Sequence, residues 1–238
     1  RENVNNFISH VLTNNSLTIQ YRIVHSSGEI KWIKERAQVI YDEAGNKIRI
    51  NGTIYNITQQ KLTEEQLTYK AFHDTLTNLP NRAFFNKAVN SALKRMREDF
   101  QYQFAVLFIN LDGFKIVNDH LGRDIGDRLL IAIAKRLQNC VKNRDLVARV
   151  GGDEFTILLS EIQNQHEVVE ITERILNELS SPFSVENHTL QSGASIGIVM
   201  GCSVYTNHAN LLRDADSAMY QAKNTRKGHY VVFNRRAG

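Results

Sequence analysis

Cysteine, proline and tryptophan are scarce in this chain: two, two and one among 238 residues. Cys140 and Cys202 lie far apart in mostly apolar surroundings. They read as small buried residues, not as a redox pair or a metal clip, and a reducing, cytoplasmic setting is expected. The eight histidines are scattered, with no HExxH spacing, so a zinc site is not expected. Long apolar runs are missing too. The longest, "FAVLFINL", falls far short of the roughly 20 residues a membrane span needs. No signal-peptide pattern opens the chain. It begins "RENVNNFISH" without a Met and reads as a piece of a longer protein, so an upstream membrane tether stays open. A formal net charge of +4 permits mild affinity for anions. It excludes the dense basic footprint of a dedicated nucleic-acid binder, and no nucleic-acid partner is expected. What is present, 42% hydrophobic and 23% charged residues, is ordinary globular composition. It suffices for one large domain plus part of another.

Val4, Phe7, Ile8, Val11 and Leu12 recur at helical spacing. Three alternating runs follow, "LTIQYRIVH", "EIKWIKERAQVIYD" and "KIRINGTIYNIT", separated by turn residues, and predict three antiparallel strands. This piece, with Gly28 in a polar turn, Trp32 on the next strand and Asn56-Ile57-Thr58 at its end, resembles the C-terminal half of a PAS sensor domain. The resemblance implies a partial sensor or dimerising module over residues 1–58, with no cofactor placed in it. Residues 59–74, "QQKLTEEQLTYKAFHD", are polar, helix-favouring and free of Gly and Pro. Leu62 and Tyr69, seven apart, suit a short parallel coiled coil; an ordinary linker helix fits as well.

From residue 75 the chain alternates helix and strand: helices at "NRAFFNKAVNSALKRMRED", "GDRLLIAIAKRLQNCV", "EVVEITERILNELS" and "ANLLRDADSAMYQAKN", strands at "FAVLFINL", "LVARV", "FTILLS", "ASIGIVM" and "YVVF". Gly151-Gly152 between "LVARV" and "FTILLS" predicts a hairpin. One hairpin among crossover units predicts an α+β fold, a mixed central sheet flanked by helices. Asp153 and Glu154 follow the glycines on opposite faces of the emerging strand. By themselves they are solvated turn acids, the usual fate of such residues. A second stretch, "LFINLDGFKIVND", runs from a strand through a glycine-containing loop into a helix, the place where free backbone amides and a partly positive helix end bind phosphate. Asp112 and Lys115 flank that loop. Asn118, Asp119, Asp124 and Asp127 follow, and an Asn amide with a nearby carboxylate matches the donor and acceptor edge of guanine.

Together "HDTLTNLPNR", "NLDGFKIVNDHLGRDIGD", "RVGGDEF", "SIGI" and "ADSAMYQAKNTRKGHY" resemble a GGDEF domain, the catalytic domain of diguanylate cyclases, over residues 73–233. The resemblance implies a nucleotidyl-cyclase, palm-like domain over residues 75–238. It further implies a homodimer that joins two GTP into cyclic di-GMP and two pyrophosphates, with Mg²⁺ or Mn²⁺. It makes Gly151, Gly152, Asp153 and Glu154 the catalytic motif. Asp153, the Leu111 carbonyl and Asn110 become the metal site. The amides of Gly113, Phe114 and Lys115 become the phosphate cradle, Asn118 and Asp127 the guanine readers, and Lys223 and Lys227, one helical turn apart, the terminal-phosphate ligands.

The chain departs from the family in several places. Asn110 stands where active members carry an Asp that bridges the metals; an amide brings an oxygen but no charge, which weakens a Mg²⁺ site. Slow or metal-demanding catalysis is expected, with a catalytically degenerate GTP-binding domain as the alternative. Arg226 occupies a usual glycine position, and Arg123 a usual histidine. The inhibitory product site of the family corresponds to Lys142 and Asp145. Lysine lacks the planar fork that stacks on guanine and bonds it twice, so product feedback is expected to be weak. The ending "KGHYVVFNRRAG" resembles GGDEF domains that continue into an EAL phosphodiesterase domain.

Overall fold

Residues 9–234 are described by a computed structural model, in which the chain divides into two compact units, Arg1–Tyr69 and Lys70–Gly238. In the first unit β1 (Ser16–Val24), β2 (Ile30–Tyr41) and β3 (Lys47–Asn56) form an antiparallel sheet in that order. Glycines with left-handed φ, Gly28 and Gly45, close the two turns. Residues 9–14 are helical, and Val11 packs on Ala37 and Val39 of β2. Val4, Phe7 and Ile8 of the expected helix lie outside the described residues. Every residue of β3 is exposed. Asn56 fastens the end of this strand: its Oδ1 accepts from the Thr58 amide at 3.0 Å and hydroxyl at 2.7 Å, while the Thr58 Oγ1 accepts from the Trp32 amide. Helix α1 (Thr58–Phe72) starts there and buries none of its side chains.

The second unit is built on a mixed sheet of order β10-β9-β4-β6-β5. Its centre is β4 (Phe104–Asp112), flanked by antiparallel β6 (Glu154–Ser160) and β9 (Gly193–Met200). β5 (Leu146–Gly151) pairs with β6, and β10 (Tyr230–Val232) runs parallel to β9. The run "FAVLFINL" is apolar without alternation because β4 is covered on both faces. Leu107 and Ile109 join a core with α4 (Arg123–Asn139) and α5 (Gln165–Ser180). Val106 and Phe108 point the other way, into a core with α2 (Arg82–Glu98) and α6 (His208–Thr225). Between β4 and α4 lies the short α3 (Phe114–Leu121). Gly197 on β9 explains the "SIGI" stretch. A Cβ there would overlap the backbone of Ala215 and Met219, so its absence lets α6 lie directly on the sheet.

The structure bears out an α+β fold with a mixed central sheet and an N-terminal antiparallel sheet, and moves several details. The hairpin loop is Gly152-Asp153, not Gly151-Gly152: a register shift after Arg149 makes Gly151 the last residue of β5, opposite Glu154. Helix α4 begins at Arg123, three residues before the expected start, because Gly122 with φ 86° ends α3 and opens the next helix at once. A hairpin of β7 (Phe183–Val185) and β8 (His188–Leu190) was not expected; its turn uses Glu186 at φ 51° where a glycine would have announced it. Among the described residues no helix is long and apolar enough to cross a membrane.

Candidate active site at the end of the central strand

Alternation along β4 turns Asn110 and Asp112 toward the α2 and α6 face, at the strand's C-terminal end. Register then makes a row across the sheet: Asn110 lies opposite Glu154 on one side and Ser195 on the other. The Leu111 amide donates to the Asp153 carbonyl at 3.1 Å, which seats the hairpin turn beside the strand-to-helix loop. Asn110 is buried, and its Oδ1 accepts from the Lys223 ammonium at 2.6 Å. That bond crosses from α6 to β4 and depends on the close approach allowed by Gly197.

Two arginines strap the hairpin: one ties it to the segment before α2, and the other is itself the first residue of α2. Arg149 donates to the Gly152 carbonyl through Nε at 3.1 Å and Nη2 at 2.8 Å, and to Asp74 Oδ1 through Nη1 at 2.9 Å. Arg82 donates from Nε to the Val150 carbonyl and places its guanidinium 3.5 Å from Glu154. Burial works against the Asp74 carboxylate, but the Thr77 hydroxyl and amide and the Arg149 guanidinium outweigh it and hold its pKa below the ordinary value. Glu154 goes the other way. Burial pushes its carboxyl up; Asp216 and Asp153 add to the rise, and Arg82 and Lys223 oppose it.

Gly113, at φ 76°, caps α3 without a side-chain bond, leaving the first-turn amides of Phe114 and Lys115 at a helix N-terminus. Lys115 is exposed. Asn118 on α3 lies against Gly126 of α4, the residue before the exposed Asp127 in that helix's second turn. The Asn118 Oδ1 is buried with no protein hydrogen-bond partner, and it occupies space over Gly126 that a Cβ would fill. Lys227 does not lie one helical turn from Lys223. Helix α6 stops at Thr225, Arg226 is extended, and the Gly228 amide is held by Asp112 Oδ2 at 2.9 Å, so Lys227 sits on the following turn. Asp112 also accepts from the Ser195 hydroxyl at 2.9 Å. It thereby ties β4, β9 and the Lys227 turn together.

The Asp153 carboxylate has no ion-pair partner among the described residues, which suits it to a cation. No group of three or more His, Cys, Asp or Glu side chains among the described residues could hold a metal unaided. One carboxylate with backbone and phosphate oxygens is nevertheless a usual Mg²⁺ environment. The donor set therefore fits a divalent ion shared with a nucleotide and centred on Asp153, while Asn110 offers an oxygen already engaged by Lys223. Lys142 and Asp145 are occupied differently. Both Asp145 oxygens accept backbone amides, from Lys142 and Ser160, and Lys142 Nζ pairs with Glu167 at 2.9 Å.

Arg82, Arg149, Gly126 and Ser195, which help build this arrangement, were not singled out in the sequence, and Asp112 was read there only as flanking the loop. Arg82 and Arg149 stand inside quoted motifs, "HDTLTNLPNR" and "RVGGDEF", but their partners are 68 to 75 residues away in sequence.

A mixed sheet with helices on both faces defines an α+β domain, and comparison with known proteins gives its family. The family model "Diguanylate cyclase, GGDEF domain" matches residues 71–229, and a PAS-fold model matches residues 1–54. The chain belongs to the GGDEF family of diguanylate cyclases, with a PAS-fold segment ahead of that domain. It is 40% identical over 176 residues to diguanylate cyclase TpbB of Pseudomonas aeruginosa, covering 71% of this chain and 40% of that protein. It is 38% identical over 168 residues to the bifunctional diguanylate cyclase/cyclic di-GMP phosphodiesterase MucR of the same species, covering 71% of this chain and 24% of MucR. This chain thus spans less than half the length of either relative. The solved GGDEF domain of TpbB matches with a TM-score of 0.65 at 39% identity, over 68% of this chain and 94% of that one.

Proposed function

We propose that this chain condenses two GTP into cyclic di-GMP, releasing two pyrophosphates, with one GTP held by each protomer of a homodimer. In each of two equivalent steps a 3′-hydroxyl oxygen attacks the α-phosphorus of the facing nucleotide. The bond to the bridging oxygen breaks, pyrophosphate departs, and the hydroxyl proton is lost to solvent or a nearby base. Phosphoryl transfer of this kind needs positioning and charge neutralisation more than covalent help. The observation that carries the reading is the Leu111–Asp153 bond, which brings the hairpin acids onto the strand-to-helix loop.

Asn118 and Asp127 read the guanine edge. The amides of Gly113, Phe114 and Lys115 receive phosphate at the start of α3. Lys223 and Lys227 supply positive charge to the phosphates from two elements, not from one helix face. Asp153 would hold Mg²⁺ or Mn²⁺ with the Leu111 carbonyl; such an ion, when bound, neutralises the triphosphate and polarises the α-phosphate. Glu154, whose carboxyl pKa burial pushes up, stands beside it. The PAS-fold segment and α1 would pass a signal to this domain.

Asn110 favours a second reading, a GTP-binding domain with little or no turnover that regulates a partner such as an EAL phosphodiesterase domain. MucR, a bifunctional relative, and PdeR of Escherichia coli, a cyclic di-GMP phosphodiesterase 32% identical over 178 residues, give it context. Incubation with GTP and Mg²⁺ or Mn²⁺, followed by chromatography for cyclic di-GMP, tests both. Turnover by the native chain, abolished in Asp153→Ala, supports the cyclase. A silent native chain with an active Asn110→Asp variant supports the second reading. Silence in both, with no GTP bound, removes both. Product feedback is expected to be weak because Asp145 is spent on backbone amides and Lys142 on Glu167; tight binding of cyclic di-GMP by titration calorimetry would contradict this.

A further inference from the structure

We propose that Lys223 supplies, at Asn110, the positive charge that a divalent ion would bring beside a carboxylate, so that guanine-nucleotide binding to this chain survives removal of divalent ions. The inference rests on the guanine-nucleotide reading of the site and concerns what replaces a missing charge in it.

Asn110 lies buried in the row Glu154–Asn110–Ser195 at the end of β4. A carboxylate there would join Asp153 and Glu154 in a cluster that repels a triphosphate until a metal bridges them. The amide removes one negative charge from that cluster. Its oxygen is already bonded to an ammonium at 2.6 Å, at the short end for a charged hydrogen bond. Lys223 is held in reach by a rigid contact, α6 resting on the bare Gly197 of β9. An ammonium has three N–H donors. One is spent on Asn110, and the other two remain for phosphate oxygens. Glu154 is offset as well: the Arg82 guanidinium lies 3.5 Å from it. A Mg²⁺ seated on the Asn110 oxygen would have to expel the lysine or sit against it, gaining only a neutral ligand. The row is therefore arranged to meet phosphate with a fixed cation. The ion at Asp153 is left to serve turnover more than binding.

Equilibrium binding separates these roles without reference to activity. The probe is a GTP analogue with a methylene group between the α and β phosphorus atoms, titrated in EDTA and in excess Mg²⁺. For the native chain the two dissociation constants should agree within about threefold. For Asn110→Asp, Mg²⁺ should tighten binding by about tenfold or more, because the restored carboxylate repels phosphate and captures Lys223 until an ion intervenes. Lys223→Met should weaken binding in EDTA by about tenfold, the scale of one charged hydrogen bond, and Lys223→Arg should restore most of it. Melting curves confirm that each variant is folded. Native binding that collapses in EDTA as far as that of Asn110→Asp overturns the inference while leaving the nucleotide site standing. Absence of binding in both buffers overturns the nucleotide reading itself, and this inference with it.

Discussion

The hydrogen atom that Gly126 carries in place of a side chain decides where Asn118 can sit. An added Cβ would overlap the Asn118 amide oxygen and come within 3.0 Å of its Cγ and 3.3 Å of the Phe114 ring. Both helices are fixed by packing, since Phe114, Ile125 and Leu129 belong to one core, so the amide would have to yield. Alanine at this place also raises helix propensity by about 1 kcal/mol, which protects the fold while the side chain is displaced. Gly126→Ala should therefore leave the melting temperature near the native value or above it and weaken GTP binding by about tenfold, the cost of one or two lost polar contacts. Its signature is selectivity. The ratio of affinities for GTP and for ITP, which lacks the 2-amino group, should shrink toward one. A residue that mattered only for stability would weaken both alike, and that result would remove Gly126 from guanine recognition. Residue type alone fitted Asp119 and Asp124 as well as Asp127; Asn118 and Asp127 were proposed from the sequence because the motif "NLDGFKIVNDHLGRDIGD" resembles the family's. Gly126 was not, since its role lies in a van der Waals contact between two helices whose boundary, at Gly122, had been placed elsewhere.

Hairpin β5–β6 is held by its arginines more than by its glycines. Period-two alternation and paired glycines made the two strands readable. The loop position was not, because a bulge near Val150 changes the count by one and pattern alone does not register it. The strap was hidden for another reason: ion pairs between distant segments leave no local periodicity. Arg149 and Asp74 are mostly buried as a pair, their side chains 11% and 22% exposed. Removing one partner strands the other, which for a partly buried pair costs about 1–3 kcal/mol. Asp74→Ala should lower stability by that amount and slow turnover by loosening the Gly152-Asp153 loop. The sign of the pH effect follows from the depressed Asp74 pKa. Its contribution is present above the unfolded value, about 3.9, and is lost as pH falls through the lower folded value. Thermal melts of the native chain should therefore drop more steeply below about pH 4 than those of Asp74→Asn. Parallel curves would show that the strap adds nothing to stability.

The proposed reaction needs two GTP-loaded protomers to face each other, and helix α1, which runs from the first unit into the second, is a candidate for joining them. Helix α1 buries no side chain within its own chain, and Leu62 and Leu67 stand exposed on it. The sequence showed this helix plainly, through composition and the lack of Gly and Pro, yet left its partner open between a coiled coil and a plain linker. The proposed reaction, which needs two protomers, favours a partner helix from a second copy. Its seam is short, however: 15 residues make about two heptads, near the length at which an isolated helix is only marginal in water. Association through α1 should therefore be weak and concentration-dependent. Specific activity should climb as the chain is concentrated through the micromolar range and fall on dilution, in step with the dimer fraction seen by sedimentation. Leu62→Glu places a charge in the seam and should lower both dimer fraction and specific activity at a given concentration, by about tenfold near the midpoint. GTP affinity per protomer should stay unchanged, because Leu62 belongs to the first compact unit and the residues proposed to hold GTP all belong to the second. Specific activity that stays flat over a hundredfold dilution, and is indifferent to Leu62→Glu, would mean that the two sites meet through the GGDEF domains alone and that α1 is only a tether.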